Sequence, residues 1–156
     1  MEKGGKMKKF QYNLQSVLEY KQRILDDLKE QYAVRMKFVD EKKLEIENLR
    51  KKANDLTVEF DEIKKSGAAI EKFLMYSSMI DNLDKQVELE KETLKILQAN
   101  ADKKKEEVIA ANIDVNKFEK LKEKKAEAYK AMEQKDQEAF IDEFVTNQQN
   151  SIGRSA

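Results

Sequence analysis

Seven heptad positions in the first part of the chain are all apolar: Leu18, Leu25, Tyr32, Val39, Ile46, Ala53 and Phe60. The companion positions are Leu14, Lys21, Leu28, Arg35, Lys42, Leu49, Leu56 and Ile63, of which five of eight are apolar. The three exceptions are long basic side chains that can bury their stems and keep the charge in water. An apolar repeat of seven held over this length puts one seam along one side of a helix. That seam must meet another helix, and it stays in contact only through a left-handed supercoil. A single coiled-coil helix is therefore predicted from about Phe10 to Lys65, roughly 85 Å long at 1.5 Å per residue. Asn13 is the best N-cap candidate near its start.

Ser66-Gly67 is the one strong break in the middle of the sequence, because glycine readily adopts the left-handed conformation that ends a helix. The repeat then restarts with Phe73, Ile80, Val87, Leu94, Ala101, Val108 and Val115. Its companions are Tyr76, Leu83, Glu90, Leu97, Lys104, Ala111 and Phe118. Two long heptad helices joined by a short link fold back most simply as an antiparallel hairpin. A parallel dimer or a trimer would also satisfy the seams, but would leave the break at Gly67 unexplained. The hairpin sets Ile63 near Phe73, Leu49 near Val87 and Leu18 near Phe118. The predicted fold class is all-α, a long antiparallel two-helix coiled-coil hairpin. Its parts are a disordered leader over residues 1–9, one hairpin over 10–146 with the turn at 66–69, and a frayed tail over 147–156. Met7 is an alternative start.

Composition agrees with long helices rather than a mixed core: 40% of the residues are charged and proline is absent. Histidine and cysteine are also absent, which removes the commonest general base, thiol nucleophile and metal ligands. With four glycines in the chain there is no phosphate-binding loop. Adjacent carboxylates such as Glu106-Glu107 and Asp142-Glu143 point in different directions on a helix, and read as solvated faces. The expectation is a non-enzymatic protein with no cofactor, no metal and no small-molecule substrate. No apolar run approaches the ~20 residues needed to span a bilayer. A cytoplasmic location is expected.

The net charge is zero, with 31 basic and 31 acidic residues, so bulk electrostatics do not point to nucleic acid. The charges are nevertheless segregated. Lys117, Lys120, Lys122, Lys124 and Lys125 outnumber the nearby acids, and a hairpin would bring Lys8, Lys9, Lys21 and Arg23 alongside them. One reading is a solubilising face supported by intrahelical pairs such as Glu119 with Lys122. The other is a basic collar that steers an acidic partner. Past Ala126 the heptad is disturbed and no first-helix residue remains to face. Tyr129, Met132, Phe140, Ile141, Phe144 and Val145 should therefore project as a partner surface.

Glu90 and Lys104 fall in the second seam and read as register-setting polar residues. Just after the turn, Phe73, Tyr76 and Ile80 belong to the seam, whereas Leu74, Met75 and Met79 do not. Methionines left over there read equally as core and as an adaptable contact surface.

Three stretches carry a family resemblance. Phe10-Gln11-Tyr12-Asn13-Leu14-Gln15-Ser16-Val17-Leu18-Glu19 resembles the opening of the flagellar FliJ protein family of Gram-positive bacteria. Tyr76-x-x-Met79-Ile80-x-x-Leu83 is similar to the family's motif after its turn. Phe118 to Lys125, followed by Tyr129 and Asp142-Glu143-Phe144, resembles its ending. The resemblance implies a coiled coil similar to the central stalk of rotary ATPases, working in flagellar type III export at the cytoplasmic face of the membrane. It implies three kinds of partner: the hexameric export ATPase, the membrane export-gate protein, and export chaperones of late substrates. The ATPase contact is placed at the terminal end, on Lys120, Lys122, Lys124, Lys125, Tyr129, Met132, Phe140 and Phe144. By analogy with the family, the gate contact is placed nearer the turn, on Leu49, Leu56, Met79 and Leu83. The competing function is a prefoldin-like chaperone or a tethering coiled coil unrelated to flagella.

Overall fold

The computed structural model describes residues 8–155. It contains two helices, α1 (Gln15–Ser66) and α2 (Ile70–Ser155), packed together as a helical hairpin, with no strand among the described residues. The packing divides into two units, and these are described separately. The first comprises residues 8–25 and 111–155, and the second Asp26–Ala110.

In the second unit the heptad residues of both helices turn inward. Val39 is wholly buried, Ala101 is equally enclosed, and Ile46, Leu49 and Val87 form a core cluster. Leu83 and Leu94 pack against that cluster. Leu49 thus meets Val87, as the sequence register requires. Toward the turn the core becomes aromatic. The Phe60 ring stacks on Tyr76 at 5.9 Å and meets Phe73 edge-on at the same centroid distance.

The polar residues in this seam are paired. Lys42 Nζ lies 2.5 Å from Glu90 and 2.8 Å from Glu45. Those two carboxylates raise the Lys42 pKa, Glu45 first, because they favour its charged form. Lys104 reaches Glu107 at 2.6 Å, and this lowers the Glu107 pKa. Arg35 donates to the Asn100 carbonyl at 3.3 Å. Lys42 and Glu90 thus meet across the two helices within the seam, which is in keeping with a register-setting role for Glu90.

The turn depends on one glycine. Gly67 has φ 73°, and no atom lies within 4 Å of where its Cβ would stand. The Ser66 hydroxyl donates to the Ile63 carbonyl at 2.9 Å, and Lys64 and Lys65 occupy the last turn of α1, where cations favour the helix dipole. Gly67→Ala should therefore cost about 1 kcal/mol through backbone strain alone, with no steric clash. Urea unfolding should detect it, and an unchanged midpoint would show that the turn tolerates another conformation.

In the first unit, Leu18, Leu25 and Val115 are buried in the seam, together with Tyr12 from outside the helix. The helix start differs from the sequence expectation. α1 opens at Gln15 rather than Phe10, with Gln15 N–H donating to the Tyr12 carbonyl at 3.0 Å. Residues 8–12 have no regular secondary structure and lie as a strap on α2, held by side chains that a helix would have pointed elsewhere. Lys8 and Lys9 thus belong to this strap rather than to a disordered leader. The rest of that leader, residues 1–7, lies outside the described residues.

The expected frayed tail is also corrected, since α2 continues to Ser155. Nothing in the sequence stops it: there is no proline, and Gly153 does not take a positive φ. The helix from Phe140 on is exposed on every described face.

Candidate partner-binding surfaces

In the second unit an open groove of about 590 Å³ runs between the helices near the turn, lined by Lys52, Asp55, Leu56, Glu59, Met79, Asn82 and Leu83. It therefore unites three of the four residues assigned to the gate contact. The fourth, Leu49, is 8% exposed and lies in the core cluster against which Leu83 packs, so it supports the groove from beneath. Met79 is 42% exposed, and Met75 and Leu74 stand free beside it on the same helix. The ambiguity of this group is thus divided: Phe73, Tyr76 and Ile80 face inward, whereas Leu74, Met75 and Met79 face solvent. The rim carries one lysine and two carboxylates. Tyr76 donates to Glu59 at 3.4 Å, and its phenol is pushed above its ordinary range by desolvation first and by that carboxylate second.

The first unit holds the residues assigned to the ATPase contact, but not as one cluster. Phe10 meets the Tyr129 ring at 5.6 Å, and the Tyr129 hydroxyl donates to the Lys8 carbonyl. Tyr12 donates to the Phe118 carbonyl at 3.1 Å, with Lys125 Nζ over its ring at 5.8 Å. Tyr129 accordingly does not project free, as the end of the first helix had suggested, because the strap continues the pairing past that end. Lys122 is half-buried beside Phe10, Gln11, Tyr12 and Gln15, whereas Lys120 and Lys124 stay in solvent. Met132, Phe140 and Phe144 are exposed, along with Ile141 and Val145. Glu119 accepts from Gln22 at 3.3 Å across the two helices, in place of the expected intrahelical pair with Lys122.

The strap is what sequence reasoning missed. Its signal was the aromatic pair Phe10 and Tyr12, placed ahead of the first heptad and within reach of Tyr129 once the hairpin register is applied.

The order of these features along the chain is decisive, and it is matched from the strap almost to the last residue. A profile of the family described as Flagellar FliJ protein matches residues 10–153. The chain belongs to the flagellar FliJ protein family. No curated protein and no solved structure matches it. The family is a non-catalytic component of flagellar protein export. No group of side chains that could hold a metal ion is found among the described residues of this FliJ-family chain. No helix is long and apolar enough to cross a membrane, also among the described residues.

Proposed function

We propose that this FliJ-family chain is an export factor that binds the hexameric export ATPase through its first unit and the membrane export-gate protein through its second. In this reading it works at the cytoplasmic face of the membrane and escorts export chaperones. The observation that carries it is the groove near the turn. Leu56, Met79 and Leu83 come from two helices, yet they converge on one apolar cleft with the exposed Met75 beside it, where an adaptable surface can receive a partner. The ATPase contact is assigned to the exposed apolar residues of α2 beyond Met132, with the lysines at 120 and 124 steering approach.

The test leaves the folded part intact. Phe140 and Phe144 are each more than half exposed and lie one turn apart, so Phe140→Ala with Phe144→Ala removes apolar anchors without opening a core. Binding to the cognate ATPase, followed by surface plasmon resonance, should weaken by about ten-fold or more, which corresponds to about 1.4 kcal/mol. Normal binding by the double variant would remove the ATPase contact from this helix. Truncation after Ala126 is a poorer experiment, because it also takes away Tyr129 and so releases the strap.

A further inference from the structure

We propose that the cleft between the N-terminal strap and α2 is a docking site for an acidic peptide segment bearing one bulky apolar residue. This rests on the reading of the first unit as a partner-contacting region, and it names the chemistry of what that unit takes.

The cleft has two walls of different origin. Lys8, Lys9 and Phe10 of the strap form one, and Lys125, Tyr129 and Met132 of α2 form the other. Its opening is about 870 Å³, large enough for a side chain with its flanking backbone. The floor is apolar and aromatic, whereas three lysines stand around it and no carboxylate lines it. The chain as a whole carries zero net charge, so the cationic excess around this cleft is a local one. A purely electrostatic surface would not need the floor, and a purely apolar one would not be ringed by three cations. An apolar anchor set between carboxylates satisfies both, with the anchor supplying affinity and the charges supplying register and rate.

A second observation lies next to the cleft. Gln15 gives its Nε2 to Glu19 at 3.2 Å, and its Oε1 is buried without a partner. It lines the adjoining hollow with Phe10, Tyr12 and Lys122. A buried acceptor without a donor carries a desolvation penalty. The strap wall is held by the Phe10–Tyr129 ring contact and the Tyr129–Lys8 hydrogen bond, so the cleft exists only while the strap is docked.

The experiment titrates the full chain into short fluorescein-labelled peptides and reads anisotropy. One peptide has a single Phe between runs of Glu, the second replaces that Phe by Ala, and the third replaces every Glu by Lys. The first should bind and the other two should bind at least about ten-fold more weakly. Lys8→Glu, Lys9→Glu and Lys125→Glu together should abolish binding of the first, and Phe10→Ala should weaken it by about ten-fold with unchanged helicity, because Phe10 is outside the helices. Equal binding of the Phe and Ala peptides would reduce the cleft to a charged surface and overturn the proposal. So would binding that survives the lysine reversals, or a single-stranded oligonucleotide that binds tighter than the acidic peptide with the same lysine dependence. The Phe140 and Phe144 substitutions do not touch the cleft. If they abolish ATPase binding while the acidic peptide fails to bind, the cleft proposal fails alone. If the peptide binds as expected while those substitutions are silent, the ATPase assignment fails alone.

Discussion

Leu25→Ala and Leu49→Ala should each destabilise the chain by roughly 2–5 kcal/mol, whereas Leu44→Ala should stay within about 0.5 kcal/mol. The three substitutions delete the same atoms from the same kind of helix, and only burial distinguishes them. Leu25 is 6% exposed and Leu49 8%, while Leu44, off the seam, is 58% exposed. Removing a buried isobutyl group loses its transfer free energy and leaves a gap, and the spread reflects how far the two helices close around it. Leu25 lies in the first unit and Leu49 in the second, so the pair also asks whether each unit depends on its own seam. Urea unfolding followed by far-ultraviolet circular dichroism reads all three. Equal midpoint shifts would mean that the seam is not the stabilising stripe. A Glu45→Ala control would be less clean, because Glu45 is tied to Lys42.

The seam was legible because its rule is strict. Every residue at the first-helix and second-helix seam positions, from Leu14 to Ile63 and from Phe73 to Phe118, is buried or half-buried, including Lys21, Arg35, Lys42, Glu90 and Lys104. A period of seven leaves little freedom once both partners carry it. The turn was legible for a different reason, since Gly67 is the residue that must take the left-handed backbone.

What failed lies where that rule stops applying. Phe10, Leu14 and Val17 fit a helical pattern, and no periodicity separates a helix start from an extended strap whose aromatic residues happen to reach the facing helix. Past Val115 the covered positions on α2 are Phe118, Lys122, Ala126, Tyr129 and Glu133, spaced four, four, three and four. That is a local insertion in the heptad, which unwinds the supercoil and rotates Met132 out while turning Glu133 partly in. Continuing the strict repeat puts Lys122, Lys125 and Asp136 on the seam, and with no first-helix residue left to face, the region reads as having lost its partner. It had instead acquired the strap. The candidate sites followed the same division. The groove near the turn collects Leu56, Met79 and Leu83, which the family resemblance and not the heptad had singled out as a contact, whereas the cleft needed backbone that the pattern had assigned to a helix.

Met79→Glu should reduce affinity for the cytoplasmic part of the export-gate protein by about ten-fold or more while leaving stability unchanged. The residue is chosen because it separates contact from core. Leu83 lines the same groove but packs on Ile46, Leu49 and Val87, so a charge there would disturb the fold along with the surface. Leu56 is likewise half-buried. Met79 is 42% exposed, and glutamate keeps both its length and its preference for helix, so the free protein can leave the carboxylate in water. Once a partner covers the groove, that carboxylate must be desolvated beside Leu56 and Leu83, with Asp55 and Glu59 adding like charge at the rim. The cost therefore falls on the complex alone. Isothermal titration calorimetry should show the loss, and ATPase binding through the first unit should be unaffected. A Met79→Glu protein that binds the gate normally would move that contact off the groove. Loss of both contacts together would mean that the substitution had damaged more than one surface.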